Sequence, residues 1–260
     1  MKSERESAKI LSVVVPTYNE RENIDVFLEK VTRELRKSKV PYEILIVDDN
    51  SPDKTYEKVK KWQKKDRRIR LIMRYKNPGF GISIWEGMNK ARGTVIVPMM
   101  ADMSDSPKHL VDLYKKMIEG DYDLVLTDRF KRGKNMHYPL FKKMSNRAVN
   151  TFVALTFRIP YYDLTNAFKA YNKRLVKRFN VKSKSFETMV ELAVKGYLNS
   201  RKTTEIPVTW NGRFKGKSKF YATKLVKPYT VVILDLWKYA AEKRKEKQRE
   251  KREPENSAGK

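Results

Sequence analysis

The chain has 260 residues, with 58 Lys+Arg against 31 Asp+Glu and a formal net charge of +27. Its 40% hydrophobic content suffices for a core, which excludes wholesale disorder, and the length suits one large domain or two closely packed halves. Cys is absent, which excludes disulfide scaffolds, Cys-ligated zinc, iron–sulfur clusters and thiol catalysis, and two His, His109 and His137, do not make a His-rich metal site. The charge excess points to polyanionic partners: nucleic acid, an anionic membrane surface or phosphorylated substrates. Only a small share of it lies from Lys238 onward.

Residues 10–16 (ILSVVVP) form a β-branched run ended by Pro16, as expected of a central parallel strand buried on both faces. Ile24, Phe27, Leu28, Val31 and Leu35 follow at helical spacing, then a second buried run at 42–47. Helices expected at about 53–65, 80–92 and 107–119 alternate with strands at 68–73, 94–99 and 122–127. Such alternation implies right-handed crossovers and a parallel sheet covered on both sides. The second half is less regular. It has a basic loop at 129–139, a mostly apolar helix at 148–157 and a helix near 186–197. A strand near 204–209, the loop WNGRFKGKSK at 210–219 and a final amphipathic helix complete it. From Lys243 the charge-mixed run reads as a helix extension fraying into a disordered tail. The start, MKSERESAK, lacks the apolar core of a signal peptide, and Asp235 and Lys238 break the apolar stretch at 230–241, so a cytoplasmic protein without a transmembrane helix is expected.

Ligands of open α/β sheets bind beyond the carboxyl ends of the strands. Those ends carry Thr17, Tyr18, Asn19 and Glu20; Asp48, Asp49, Asn50 and Ser51; Asp102, Ser104 and Asp105; and Asp128 and Arg129. Taken singly, each has a structural alternative, since Thr17 or Asn19 suits a helix cap, Asp49–Asp53 an ordinary turn, and Asp105-Ser106-Pro107 a helix start. Carboxylates crowded after several adjacent strands repel and call for a cation, which a divalent ion with a phosphorylated ligand would supply.

The ordered series VVVPTYNE, EILIVDDNSPDKT, NPGFG, MADMSDSP and TDRF, followed by DLTNAFKAY, FETMVEL and IPVTWNGRFKGKSKF, resembles the family 2 glycosyltransferases, in particular the dolichol-phosphate and polyprenyl-phosphate mannose synthases. The resemblance covers roughly residues 10–240. It implies a GT-A fold: an α/β, Rossmann-like, mainly parallel sheet covered by helices, with an acceptor-binding C-terminal half. The implied organisation is an N-terminal extension (1–9), a nucleotide-sugar-binding half (10–130), an acceptor-binding half (131–241) and a charged flexible tail (242–260).

By the same resemblance, Pro16, Tyr18 and Glu20 hold the base and ribose of a nucleotide-sugar donor, completed by Val47 and Asp49. Ala101 and Asp102 match the end of an Asp-Ala-Asp element whose carboxylate binds Mg²⁺ or Mn²⁺, with Ser104 as a second candidate ligand. Arg129, Arg213 and Lys219 match phosphate-binding residues, and the loop bearing the last two closes over the donor. Asp102 and Arg129 are the candidate catalytic residues. Two departures stand out. Met100 replaces the first Asp of the metal element and Ser104 replaces the Gln or similar residue two after the second, leaving Asp105 as a possible second carboxylate or, more in keeping with its position, a helix cap. Phe141 replaces an Arg four residues before Ser145, where Lys142, Lys143 or Arg147 offers a substitute charge, although a Lys does not reproduce bidentate Arg geometry.

The implied reaction is inverting transfer of a hexose, mannose from GDP-mannose, to a polyprenyl or dolichyl phosphate on the cytosolic face of a membrane. The protein would bind peripherally to its anionic surface through residues 148–157 and the basic loop before them, with a plain core helix as the equal alternative for 148–157. A phosphate nucleophile needs no general base; a hydroxyl would, and Asp163, Glu187 and Glu191 are candidates. Each has a structural alternative: Asp163 as a turn stabiliser, and the Glu pair matched with Lys184 and Lys195 on a solvated helix face. His109 and His137 read as bystanders. Alternative readings are transfer to a sugar or protein hydroxyl, an inactive regulator, or a basic nucleic-acid-binding protein. The strand-end acids oppose the last, and no nucleic-acid partner is expected.

Overall fold

The computed structural model describes residues 9–131, 140–215 and 226–257. Seven strands form one sheet in the order β3-β2-β1-β4-β6-β5-β7. β1 (Leu11–Thr17) lies between β2 (Tyr42–Asp48) and β4 (Val95–Pro98), parallel to both, and β3 (Ile69–Met73) extends β2. β6 (Ala170–Asn172) is inserted antiparallel between β4 and β5 (Leu124–Asp128), and β7 (Thr203–Pro207) closes the sheet parallel to β5. Both halves of the chain therefore build one sheet. The inserted β6 comes from the less regular region, where three residues are too short a run to show periodicity.

Side-chain alternation along β1 sorts the core into two layers. Val13 and Val15 face a cluster with α1 (Ile24–Lys37), α2 (Thr55–Lys65) and α4 (Pro107–Gly120). Val14, between them, faces α3 (Phe80–Lys90), α5 (Leu140–Phe157), the short α6 (Lys173–Val176), α7 (Thr188–Asn199) and α8 (Val226–Ser257). Covered on both sides, β1 and β2 have no exposed residue, which is why their sequences are continuous apolar runs rather than alternating ones. The helix expected over 148–157 starts eight residues earlier, and the final helix continues through Ser257, farther than the charged run suggested.

α3 packs on the sheet through Gly87. A Cβ there would lie 2.4 Å from Val14 Cγ1 and 3.0 Å from Val47 Cγ2, both in the buried centre of the sheet. Gly87→Ala therefore overpacks the α3 contact and is expected to lower unfolding free energy by about 1–3 kcal/mol in urea titrations; unchanged stability would show that α3 stands off the sheet.

Candidate active site

The loops after β1 and β2 are tied together. The Thr17 hydroxyl donates to Asp48 Oδ2 at 2.7 Å, and the Ser51 amide and hydroxyl both donate to the Asp48 carboxylate, which is wholly buried. The Asn19 amide reaches Ser51 Oγ and the Glu20 amide reaches Thr55 Oγ1. Asp48 thus organises the rim. Asn19, Asn50 and Met103, one after each of β1, β2 and β4, have positive φ. Asn tolerates the left-handed region, but Met does not favour it, so the turn around Asp102 carries backbone strain of the kind found at functional sites.

The element expected to bind a metal lies at the end of β4. Asp102 Oδ1 accepts from the Ser104 amide at 3.0 Å, and its Oδ2 lies 3.4 Å from Arg213 Nη1. The other end of the same guanidinium, Nη2, donates to both oxygens of Glu20 at 2.6 and 2.7 Å. Arg213 thereby bridges the ends of β1 and β4. Its loop is held by backbone bonds, from the Asn211 amide to the Ser104 carbonyl and from the Phe214 amide to the Asp102 carbonyl, and Asn23 donates to both Glu20 and the Lys215 carbonyl. The structure therefore brings together Glu20, Asp102, Ser104 and Arg213, with the Glu20 carboxylate, expected at the base and ribose, bound to Arg213. Lys219 and His137 lie outside the described residues.

Two other sequence candidates, Asp49 and Val47, are placed differently. Asp49 was expected to face a base or ribose, but its carboxylate is paired with Arg74 and accepts from the Gly79 amide at 2.9 Å. Arg74 also binds Glu86 and Ser83, fastening the NPGFG loop to α3. Val47 is fully buried beneath Gly87, so its side chain is core and only its backbone lies in line with the rim; Pro16 is its register partner on β1. Tyr18 is exposed, and Ala101 is buried behind Asp102. Arg74 was missed, although it directly follows the third strand and the strand-end rule that picked out the other loops applies to it equally.

Arg129 is buried in a bidentate pair with Asp163, Nε to Oδ2 at 2.8 Å and Nη2 to Oδ1 at 2.7 Å, and its amide also donates to Asp163. Asp163 is therefore the positioner of Arg129, and Arg129 fixes its carboxylate far from the role of a free base. The Glu187–Glu191 expectation needs correction: neither residue lies on a solvated face. Glu191 is buried, bonded to Lys195 at 2.5 Å and to the Lys182 and Ser183 amides. Glu187 Oε1 accepts the Lys184 and Ser185 amides, while its Oε2 is buried without a hydrogen-bond partner. His109 is structural, with its ring joining Asp112 on α4 to Thr209.

Asp105 corrects a second expectation. Ser106, not Asp105, occupies the N-cap position of α4, and no side chain caps that end. Asp105 is buried, its Oδ1 has no hydrogen-bond partner, and its backbone bridges to Trp210. Burial pushes its carboxyl up to about 7; the Asp102 and Asp163 charges add to this, while Arg129 and Lys169 oppose it. Buried Lys169 moves the other way, down to about 7, also through desolvation, and donates to the Leu164 and Asn166 carbonyls.

No group of three or more His, Asp or Glu among the described residues could enclose a metal ion. That donor set still fits Mg²⁺ or Mn²⁺ carried on a diphosphate, because such an ion uses one or two carboxylates and takes its other ligands from phosphate and water. Asp102 is the carboxylate at hand. The Ser104 amide and carbonyl are already engaged, leaving its hydroxyl as the side-chain ligand atom.

A family model described as Glycosyl transferase family 2 matches residues 12–179. The chain is 30% identical over 235 residues to a dolichol-phosphate mannosyltransferase of Pyrococcus furiosus, covering 89% of this chain and 65% of that protein. It is 28% identical over 222 residues to an undecaprenyl-phosphate 4-deoxy-4-formamido-L-arabinose transferase of Photorhabdus laumondii, covering 85% of this chain and 66% of that one. It thus spans about two thirds of the length of these relatives. Among solved structures, glucosyl-3-phosphoglycerate synthase from Mycobacterium tuberculosis, crystallised with Mn²⁺, UDP and glucosyl-3-phosphoglycerate, aligns with a TM-score of 0.65 at 15% identity over 88% of this chain and 80% of that one. S. aureus TarS 1–349 aligns with a TM-score of 0.56 at 19% identity over 76% of this chain and 60% of that one. These likenesses establish the GT-A fold. With the family match running through the strand ends that carry Glu20, Asp102 and Arg129, the chain belongs to glycosyl transferase family 2.

Proposed function

We propose that the protein is an inverting hexosyltransferase that moves mannose from GDP-mannose to a polyprenyl or dolichyl phosphate at the cytosolic face of a membrane. Residues 10–130 hold the donor, 131–241 the acceptor, and 242–260 neither. The observation that carries this reading is the Arg213 bridge between Glu20 and Asp102, because it gathers a positive charge and a carboxylate able to hold a metal where two strand ends meet. Both curated relatives are named for lipid-phosphate chemistry while their sugars differ, which supports the acceptor class more strongly than the mannose.

In this mechanism an acceptor phosphate oxygen bonds to the anomeric carbon as the bond to the nucleoside diphosphate breaks, and the electron pair leaves on the diphosphate. A phosphomonoester with a second pKa of about 6 is already ionised at neutral pH, so no residue has to remove a proton. The engagement of Asp163 by Arg129 and of Glu191 by Lys195 agrees with that economy. Arg129, held rigid by Asp163, meets the acceptor phosphate, and Arg213 passes from Glu20 to the departing diphosphate as charge develops there. Tyr18 offers its exposed ring to the base. Mg²⁺ or Mn²⁺ at Asp102, with Ser104 beside it, supplies Lewis-acid neutralisation of the leaving group when bound. One observation favours transfer to a hydroxyl instead, namely the unpartnered Oε2 of Glu187, which would serve as its base.

A donor screen with GDP-mannose, UDP-glucose and UDP-N-acetylglucosamine, Mg²⁺ or Mn²⁺ and a polyprenyl phosphate is expected to yield lipid-linked mannose, with Asp102→Ala lowering kcat/KM at least about 100-fold. Transfer from none of the donors would overturn the function, and undiminished Asp102→Ala activity would overturn the metal role. Glu187→Gln is expected to leave lipid-phosphate transfer within about threefold of the parent, since a loss of the 10²–10⁴ typical of a missing base would favour the hydroxyl acceptor. The orphaned Asp105 lowers stability in a defined pH window. The unfolded chain releases that proton near the ordinary carboxylate pKa of about 4, whereas the folded chain keeps it to about 7, so folding weakens as pH rises between the two. Asp105→Asn should therefore melt at a higher temperature than the parent at pH 8, with the gap closing towards pH 4; an equal gap at both would show that Asp105 stays ionised.

A further inference from the structure

The segment from Asp163 to Asn166 has no regular secondary structure, yet it is tied down residue by residue. Asp163 is paired with Arg129, Asn150 of α5 accepts the Thr165 amide at 2.9 Å, and Asn166 Nδ2 donates to Thr127 Oγ1 of β5 at 2.7 Å. The Leu164 and Asn166 carbonyls both accept from Lys169 Nζ, the first at 2.9 Å. No backbone amide among the described residues reaches either carbonyl, so without Lys169 two buried acceptors would be orphaned. Burying an ammonium is itself unfavourable. Lys169 is wholly buried and its bonds go to carbonyls rather than to a carboxylate. Desolvation accordingly draws its pKa down to about 7, opposed by the charges of Asp163 and Asp105 and assisted by that of Arg129. A chain that keeps such a group has it anchored firmly: Lys169 directly precedes β6, the strand inserted between β4 and β5 at the centre of the second half of the sheet.

We infer that Lys169 is a positioning residue for Arg129: by clamping the Leu164 and Asn166 carbonyls to the sheet it fixes the segment that presents the Asp163 carboxylate, and through that carboxylate it fixes the guanidinium. The chain of contacts is short and buried throughout. β6 carries Lys169, Lys169 holds the segment, and Asp163 takes Arg129 by Nε at 2.8 Å and Nη2 at 2.7 Å. Both ends of the route return to β5, since Asn166 and the Phe168 carbonyl bond to Thr127, two residues before Arg129. Lys169 itself lies wholly inside the protein and meets no ligand. Its effect on transfer rests on the reading that Arg129 meets the acceptor phosphate, whereas its hold on Arg129 does not.

Side-chain ¹⁵N NMR of the arginine Nε–H groups of the full chain reads that hold without any substrate. Arg129→Lys assigns the Arg129 signal by deleting it. Arg74 is the internal reference, because its Nε–H is bonded to Glu86 at 2.8 Å and it is as buried as Arg129 but follows β3, at the edge of the sheet. In Lys169→Met the Arg129 Nε–H is expected to exchange with solvent at least about tenfold faster while the Arg74 Nε–H keeps its rate. Faster exchange of both together would show a general loss of stability, and an unchanged Arg129 would show that it needs no support from Lys169; either result overturns the inference. Should Lys169→Met fail to fold, Lys169→Gln, which retains an amide donor, takes its place under the same criterion. With a polyprenyl phosphate as acceptor, the variant should raise the acceptor KM by about fivefold or more at unchanged donor KM, and should cost nothing further in an Arg129→Ala background. An additive loss there would overturn the route through Arg129. A parent protein that transfers nothing to a lipid phosphate disproves the acceptor reading and leaves the exchange rates to decide the role of Lys169; one that transfers while Lys169→Met leaves Arg129 exchange unchanged disproves the positioning role alone.

Discussion

Carboxylates gathered along one rim of a sheet repel one another, and the architecture of this rim follows from how each is answered. Asp49 is answered by Arg74, Asp163 by Arg129, and Glu20 with Asp102 by Arg213. In each case the cation comes from a different loop or strand end, so neutralising the rim also ties the chain together over long sequence distances. Asp105 is the exception. With one oxygen unpartnered, it relieves the repulsion by keeping its proton instead, as a buried acid near like charges does.

These pairs divide into fixed and exchangeable ones. Arg129 meets Asp163 through two parallel bonds in a buried setting, a geometry that only an arginine provides and that leaves it rigid. Arg213 divides its guanidinium between two carboxylates, one at 2.6–2.7 Å and the other at 3.4 Å, and so is bound unequally to the two strands it joins. The first arrangement holds its guanidinium in one place, while the second leaves one of its two carboxylate contacts long.

The sheet was largely legible because β1, β2 and β4 are short apolar runs with polar ends, and the same ends carry Glu20 and Asp102, which Arg213 joins. Partners were less legible. Spacing of four residues places Glu191 and Lys195 on one helix face but does not say whether that face meets water, and here the Lys182–Ser183 segment covers Glu191 while Tyr239 of α8 lies against Lys195. Asp105 before Ser-Pro has the local pattern of a cap, yet its bridge to Trp210, about a hundred residues away, turns it inward. Asp49 looked available only because Arg74 was passed over, and the pairing of Glu20 with Arg213 spans 193 positions, beyond any local signal.

The stretch from Thr209 to Lys215 is a loop by shape but not by tolerance. Thr209 is bonded to His109, Trp210 bridges to Asp105, the Asn211 and Phe214 amides are spent on β4's end, and Lys215 receives Asn23. Surface connections usually accept insertions because few of their backbone groups are committed. This one has no slack, so lengthening it by even one residue would move Arg213 out of register with both carboxylates, and redesign of its specificity has to proceed by side-chain exchange at constant length.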